Sequence, residues 1–437
     1  MAGERMAGER KNKLIAGIKH PAFVVAIIST AVFLIVFNLI LPLFQKQAEA
    51  TTQTTISKST TADWDLGTTN NINTASDEMK LMPNPRTAWY STGGTWNYRK
   101  QVTFTSDVAK IPSTQTDFPA LISITDADLA ADAQDDGDDI LFTLSDQTTK
   151  LSHEIESFNG TTGVLVAWVK VPSLATSGVI YMYYGNATCA SQQDVANVWD
   201  TNYKAVWHLK ETSGGAGAIK DSTSNANNLT DTGSPTLNAT GFVGPAVSFD
   251  GTNDYLQIVG MSSPGTPLTI EFFAKPNSST PVGMFDTASG QSNVARNCPS
   301  GNVEWWNSSP AVSLGLSATT WVQLSFVYRF SGTRIIDWYK NGAAQTSGTG
   351  STSTTLAWTN LTFGNINGGS TGWYAGFLDE IRVSNSARSA AWIAASYKSE
   401  ADTFNTFASE EPQVQTSGTL TSSIFDSEFS AARSGER

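Results

Sequence analysis

One short turn in the sequence has residue types suited to binding a metal ion. Asp250, Asn253 and Asp254 lie within five residues that Gly251 allows to turn tightly, and Asp379 lies on a later strand-like segment. Ca²⁺ prefers six to eight oxygen ligands from carboxylates, amides and backbone carbonyls. These four residues therefore predict a structural calcium site. The alternative is an Asx-turn with solvated acidic side chains.

Five aromatic residues could bind carbohydrate. They lie in segments rich in Gly and Ser, where loops are expected: Trp305, Trp306, Trp358, Trp373 and Tyr374. Neighbouring residues of a strand point to opposite faces, so two adjacent tryptophans cannot both face a core. Aromatic rings stack on the C–H faces of sugars while polar groups fix their orientation. The alternative is that these rings only fill and edge a β-sandwich.

Catalytic patterns are weak. Glu154 and Glu156 have the alternate spacing of a glycosidase acid pair, but a solvated strand face is the simpler interpretation. Asp379 and Glu380 are adjacent and are expected to point to opposite faces of a strand. His153 and Glu154 lack the second histidine of a zincin helix, and the sequence has no Gly-x-Ser-x-Gly elbow. We predict no catalytic residues and a protein that is not an enzyme.

Composition favours β-sheets with polar turns and argues against an α-helical enzyme. The 437 residues include 27 basic and 39 acidic ones, a net charge of −12, and only 15% are charged. A chain this acidic, without a Lys/Arg stripe, is not expected to bind nucleic acid. Two cysteines, Cys189 and Cys298, exclude a disulfide scaffold, and three histidines leave few ligands for a zinc site.

The N-terminal region predicts export. Residues 22–44 are almost entirely apolar, about 35 Å as a helix, which is enough to cross a membrane. Residues 1–21 are basic, so the positive-inside rule leaves them in the cytoplasm and places the body outside. The alternative is a signal peptide cleaved after Ala50, which would make the protein secreted.

The rest of the chain predicts an all-β fold. Residues 45–95 indicate a Thr-rich stalk and an irregular linker. From residue 96, short segments alternate polar and apolar residues between Gly, Asn and Asp turns, which is typical of antiparallel sandwiches. They group into 96–200 and 203–400, with one helix expected at 389–399.

Residues 401–437 predict a linker and the first strand of another β unit, at 417–425. Either that unit is truncated or its strand folds back onto residues 63–81. We favour truncation.

Six sequence blocks between residues 96 and 200 resemble the surface domain known as domain of unknown function 2341. They include Trp96–Lys100, Asp136–Ile140, Lys150–Glu156, Trp168–Pro172 and Tyr181–Asn186.

Residues 203–400 resemble the laminin-G-like, concanavalin-A-like jelly roll. The matching blocks include Val206–Leu209, Phe249–Tyr255 and Gly376–Val383. The resemblance implies a two-sheet sandwich that often binds carbohydrate or protein and often holds a structural calcium ion. It does not fix function, because one fold serves many.

Together these features predict two consecutive antiparallel β-sandwiches, the second a jelly roll, after one N-terminal transmembrane helix. The predicted function is that of a membrane-anchored, extracytoplasmic, non-catalytic adhesion protein that recognises glycans or a surface protein. The alternative is a structural surface-layer or appendage component without a small ligand.

Overall fold

The computed structural model describes residues 68–70, 72–73, 80–81, 89–261, 264–279, 282–286, 294–298, 302–305, 308–309, 312–345, 347–350, 360–366, 372–413 and 419–421. The chain divides into two compact units, Met1–Met82 with Thr416–Arg437, and Pro83–Gln415. The predicted anchor at 22–44 lies outside the described residues. Among those that are described, no helix is long and apolar enough to span a membrane.

The first unit contains two short strand pairs. Strand β1 (Thr68–Asn70) pairs antiparallel with β30 (Thr419–Thr421), and β2 (Ile72–Asn73) pairs with β3 (Lys80–Leu81). The first pairing is the fold-back that the sequence analysis left open for the C-terminal strand. The truncation of a further unit stays a prediction.

The second unit begins with a module of two sheets, here called the first module. Its elements are β4 (Tyr98–Phe104), β5 (Gln115–Thr125), α1 (Ala127–Asp132), β6 (Leu141–Leu144), β7 (Lys150–Leu151), β8 (His153–Asn159), β9 (Val164–Leu174), β10 (Val179–Tyr184) and a 3-10 turn at Val195–Asn197. Within the described residues, one sheet has the order β5-β9-β8 and the other the order β4-β10-β6-β7. Their apolar faces enclose one core.

The second module is a larger pair of sheets. Its elements are β11 (Tyr203–Trp207), β12 (Thr230–Thr232), β13 (Thr236–Thr240), β14 (Pro245–Asp250), β15 (Tyr255–Val259), β16 (Leu268–Pro276), β17 (Phe285–Asp286), β18 (Val294–Cys298), β19 (Asn302–Trp305), β20 (Ser308–Ser309), β21 (Val312–Ser313), β22 (Val322–Phe330), β23 (Arg334–Lys340), β24 (Ala343–Ala344), β25 (Gly348–Gly350), β26 (Asn360–Phe363), β27 (Ala375–Ser384) and α2 (Ala390–Ala401).

Within the described residues, the large sheet of this module has the order β13-β14-β27-β16-β22-β23-β25-β20, with β11 on β27 and β24 on β23. The facing sheet has the order β12-β15-β26-β17-β18-β19-β21. The alternation of β16 explains the layering, because Leu268, Ile270 and Phe272 enter the core between the sheets. Thr269 and Glu271 point the other way and are nevertheless buried. The outer face of the large sheet is therefore covered.

The cover comes from the first module and from the end of the second. Helix α2 begins after Ser389, whose hydroxyl caps the Trp392 amide, and the Trp392 ring lies 4.9 Å from that of Phe118 in the first module. Strands β28 (Asn405–Phe407) and β29 (Glu411–Pro412), in the range predicted as a linker, pair with β4 of the first module. The chain thus returns to the first module after completing the second.

The all-β prediction is confirmed: the described residues are mostly in β-sheets, and helices are few. The predicted helix at 389–399 corresponds to α2.

Replacing Trp392 tests this packing. Trp392→Ala is expected to lower the free energy of unfolding by about 3–5 kcal/mol, because it removes a buried indole that joins helix α2 to the first module. Tyr397→Ala, on the same helix at a half-buried position, is the matched control and should cost clearly less. Urea denaturation of both variants measures the difference; equal losses would contradict the packing described.

Candidate functional site

The five predicted ligand-binding aromatics are not brought together within the described residues. Trp306 and Trp358 lie outside them, and only the backbone of Trp305, the last residue of β19, is described. Trp373 is half-buried, with its ring 6.0 Å from that of Tyr255. Tyr374 is fully buried and packs against Phe249, so its ring belongs to the core and is not presented to a ligand.

The predicted calcium ligands also separate. Asp250 pairs with Ala375 across the sheet, four residues from Asp379 along β27, which is about 13 Å of strand. In the turn, one Asp250 oxygen accepts a hydrogen bond from the Thr252 amide, and one Asp254 oxygen accepts from the Asp250 amide. These bonds match the Asx-turn alternative. Asp379 instead accepts from the amides of Phe242 and Val243.

Charged side chains converge where the two modules meet, in a group here called the interface cluster. Its members are buried and come from both modules: Glu154, Glu156, His208, Asp379, Glu380 and Arg382. Three elements supply them, β8 in the first module and the end of β11 and β27 in the second. The expectation of a solvated Glu154–Glu156 face is therefore wrong, because the large sheet of the second module covers it.

Two β-bulges lie in strands that supply the cluster. In β27 the register slips between Asp379 and Arg382, and Glu380 adopts a left-handed φ of 49°. Leu378 and Ile381 both face the core of the second module, so the two residues between them both face outward. The expectation that Asp379 and Glu380 point to opposite faces is wrong for this reason.

The second bulge lies in β8 of the first module. There the register slips around Glu156, between Ile155 and Ser157. Ile155 and Phe158 face the core of the first module, and Glu156 faces the second module. The extra residue in β27 thus turns a carboxylate toward the junction, whereas in β8 Glu156 shares the face of Glu154 by regular alternation.

His208 lies at the centre of the cluster. Its Nδ1 atom is 2.7 Å from Glu380 Oε1 and 3.6 Å from Glu156 Oε2, and its Nε2 atom is 3.3 Å from Glu154 Oε2. The imidazole ring stacks on Trp168 at 5.7 Å. Both ring nitrogens therefore face carboxylates inside an aromatic wall.

Hydrogen bonds from surrounding groups hold these carboxylates in place. Glu154 accepts from Ser222 Oγ at 2.7 Å and from Trp199 Nε1 at 3.2 Å. Glu156 Oε2 accepts from Trp168 Nε1 at 2.9 Å, whereas the buried Glu156 Oε1 has no hydrogen-bond partner among the described residues.

Arg382 is the main cation of the junction. Its guanidinium donates to Glu380 Oε2 at 2.7 Å and also pairs with Glu400 of helix α2. The rings of Trp168 and Trp199 lie 4.5 Å and 5.4 Å from it. These contacts satisfy a charge that burial would otherwise make costly.

The cluster contains more carboxyl groups than cations, and its pKa values divide accordingly. Burial opposes the ionised form of Glu154, but His208 and Lys210 lower the pKa of Glu154 to about 2. Burial and the nearby Glu380 raise the pKa of Glu156 to about 8. Burial also raises the pKa of Asp379 well above its usual range. In the absence of another cation, some of these groups hold protons at neutral pH.

A cavity of about 590 Å³ opens to solvent beside the cluster. Its lining comes from the β5–β9 face of the first module, from one turn of the second module and from the end of α2 with the segment that follows: Leu121, Ser123, Val166, Phe242, Val243, Gly244, Ser399, Glu400, Ala401, Asp402, Thr403, Phe404 and Asn405. Gly244 separates the cavity from the cluster. A Cβ atom on Gly244 would lie 2.1 Å from Glu156 Oε1, so the wall is one backbone thick.

Sequence analysis did not identify this site. The three histidines, among them His208, were too few to suggest a zinc site, and the acidic pairs were expected on strand faces. All six members nevertheless lie in blocks that carry the family resemblances: Lys150–Glu156, Val206–Leu209 and Gly376–Val383. The available signal was charged residues within otherwise apolar strands.

Comparison with known proteins supports both modules. Residues 136–212 match the model of the domain of unknown function DUF2341, and residues 250–394 match that of the concanavalin A-like lectin/glucanases superfamily. Both resemblances are confirmed over these ranges. The first match contains Glu154, Glu156 and His208, and the second contains Asp379, Glu380 and Arg382. No curated protein matches the chain.

Several solved structures are similar in part. Domain 4 of AbnA, a GH43 extracellular arabinanase from Geobacillus stearothermophilus, solved with arabinotriose, is 21% identical, with a TM-score of 0.37, over 45% of this chain and 98% of that chain. The botulinum neurotoxin serotype D binding domain is 12% identical, with a TM-score of 0.36, over 45% and 51%. The binding domain of Paraclostridial Mosquitocidal Protein 1 is 14% identical, with a TM-score of 0.36, over 45% and 52%. The match spans about half the length of the last two.

Gly244→Ala tests the thin wall between cavity and cluster. Gly244 has a φ of 58°, and the added methyl group would displace Glu156, whose other oxygen is held by Trp168. We expect a loss of about 3 kcal/mol or more in the free energy of unfolding, the sum of the left-handed backbone penalty and the clash. Gly260→Ala is the matched control, because Gly260 has a φ of 85° and no heavy atom near its added Cβ. Similar losses of unfolding free energy in the two variants, measured by chemical denaturation, would contradict the close contact between Gly244 and Glu156.

His153 predicts a pH dependence. Burial, and then Lys150, lower the pKa of His153 from 6.5 to about 4. Between these values the unfolded chain takes up a proton that the folded chain does not, so stability falls as pH drops from 6.5 to 4. His153→Phe should remove about 3 kcal/mol of this decline relative to wild type, measured by urea denaturation across that pH range. If the difference in free energy of unfolding between variant and wild type stays the same from pH 6.5 to 4, a buried neutral His153 is contradicted.

Proposed function

We propose that the protein is an extracytoplasmic, non-catalytic binding protein, anchored in the membrane through residues 22–44, that recognises glycans at the junction of its two modules. The concanavalin-A-like match at residues 250–394 supports a binding role of the second module. The apolar segment and the basic residues before it support anchoring and export. A surface protein is the alternative ligand.

The observation that carries the glycan proposal is the open cavity with an aromatic ridge beside it. Phe242 lines the cavity and packs on Phe273 at 4.1 Å, and Trp321 lies 6.2 Å from Phe242 and 6.1 Å from Phe377. Three of these rings, Phe242, Trp321 and Phe377, are half-buried, so part of each faces solvent.

Polar groups complete the site. Ser123, Asp402 and Thr403 are exposed at the cavity, and Asn405 is half-buried there. Sugars need this combination, an apolar surface for their C–H faces and hydrogen-bonding groups for their hydroxyls. The ridge replaces the five predicted aromatics as the first candidate, and Trp373 with Tyr255 is the second.

Burial of the acidic groups supports the non-catalytic part of the proposal. The side chains of Glu156 and Glu380 have 0% exposure, and each is held by neighbouring groups. A glycosidase needs two carboxyl groups that flank a bound sugar, one of which meets water. A polymer cannot reach this pair without separating the modules.

A glycan array with the purified full chain tests the proposal, followed by calorimetry with each sugar that binds. Trp321→Ala is expected to weaken binding about tenfold, because it removes one stacking surface. Trp373→Ala is the matched control, a half-buried tryptophan away from the ridge, and should bind as wild type does.

The outcomes separate the alternatives. Loss of binding in Trp373→Ala alone would move the site to the Trp373–Tyr255 pair and contradict the cavity. A folded chain that binds no glycan would refute the sugar ligand, and ordered self-assembly of that chain would favour the structural surface-layer role. Release of reducing sugar from a polysaccharide would refute the non-catalytic part.

A further inference from the structure

We propose that Glu156, His208 and Glu380 bind one divalent metal ion that joins the two modules. Zinc is the first candidate. This site is separate from glycan recognition and does not depend on it. Glu156 comes from the first module, whereas His208 and Glu380 come from the second. A shared ion would therefore fix their junction.

The geometry of the ligand atoms suits such an ion. One carboxylate oxygen of Glu156, one of Glu380 and one ring nitrogen of His208 lie within 4.8 Å of one another. Two ligands of a tetrahedral zinc ion, with bonds near 2.1 Å, are separated by about 3.4 Å. The 3.6 Å between His208 and Glu156 already fits, and the 2.7 Å between His208 and Glu380 must open by less than about 1 Å.

A neighbouring side chain holds each of the three ligands in its orientation. Glu154 faces Nε2 of His208, which leaves Nδ1 directed at the other two carboxylates. Arg382 holds the far oxygen of Glu380, and Trp168 donates to Glu156. Outer groups of this kind, above all a carboxylate behind a histidine, fix metal ligands and raise their basicity.

A polar atom left without a partner is the second, independent observation. Glu156 Oε1 is buried and has no hydrogen-bond partner among the described residues. It belongs to the same carboxylate as Oε2, the oxygen 3.6 Å from His208 Nδ1, so an ion bound by both oxygens of Glu156 would give it a partner.

The charge balance points the same way. Four buried carboxyl groups, Glu154, Glu156, Asp379 and Glu380, face one buried cation that a bound ion would leave charged, Arg382, with the partly exposed Lys210 at the edge. His208 would be neutral as a ligand, so its charge does not count beside that of the ion. A divalent ion would supply the positive charge that is missing. Ions and protons would compete for the site, because the imidazole of His208 must be neutral to ligate a metal ion.

The donor set selects the metal class. One imidazole nitrogen and two carboxylates suit Zn²⁺ and its neighbours, whereas Ca²⁺ prefers oxygen ligands alone. A water molecule would complete the coordination. An ion would enter through a local displacement of the Gly244 backbone, which separates Glu156 Oε1 from the open cavity.

The test uses the full chain without a polyhistidine tag, stripped with a chelator, incubated with excess ZnCl₂ and freed of unbound metal. Elemental analysis should give about one zinc per chain, and thermal unfolding should shift upward by several degrees. The double variant Glu156→Gln, Glu380→Gln should lose both effects. Glu271→Gln is the matched control, a fully buried carboxyl group of the same sheet outside the triad, and should keep them.

Cobalt binding is measured on wild type, so it tests the site even if the double variant does not fold. Co²⁺ added to the stripped wild type should produce the intense visible bands of a four-coordinate site, which Zn²⁺ displaces. The proposal is overturned if wild type retains less than a tenth of an equivalent of zinc, if the folded double variant retains as much as wild type, or if Co²⁺ gives only the weak spectrum of the hydrated ion. A failed glycan array leaves all three measurements intact, so the two proposals fail separately.

Discussion

The junction of the two modules depends on the buried guanidinium of Arg382. Burying carboxylates between two sheets is unfavourable unless each finds a cation or a donor. Arg382 pairs directly with Glu380 and Glu400, and its guanidinium lies beside the indole rings of Trp168 and Trp199. Without it, both carboxylates would remain in an apolar layer, and breaking such a pair costs about 3–5 kcal/mol. The planar guanidinium can pair with two acids while its faces contact aromatic rings, which a lysine cannot do.

The bulge in β27 brings Glu380 within reach of this cation. A regular strand would send Asp379 and Glu380 to opposite faces and bury one of them among Leu378 and Ile381. The left-handed φ of Glu380 costs about 1–2 kcal/mol for a residue with a side chain. His208 and Arg382 offset this cost, because both contact the carboxylate that the bulge redirects. The contacts of Glu380 with His208 and Arg382 therefore stabilise its strained backbone conformation.

Sequence reasoning succeeded where structure follows a simple period and failed where it does not. Alternation located most strands, as in Leu268 to Phe273. The spacing of Trp392, Ile393 and Tyr397, which places them on one helix face, located helix α2. Alternation cannot anticipate an inserted residue, so Asp379 and Glu380 were expected on opposite faces. Nor does a sequence show which sheet face another module covers, and that cover is what buries His208 and Glu271. The prediction that Tyr374 binds a ligand is wrong for a related reason. A loop residue next to a strand can turn its side chain into the core, as Tyr374 does.

One short turn, residues 241–244, connects the sealed cluster with the open cavity. The Phe242 and Val243 amides are held by Asp379, while the Phe242 ring joins the aromatic ridge and Val243 enters the core of the first module. Gly244 then forms the wall in front of Glu156. Because a buried carboxylate holds this backbone and Phe273 packs on the ring, Phe242 would lose little ordering entropy on binding the proposed ligand. Charges sealed inside the junction therefore determine the shape of the surface outside it.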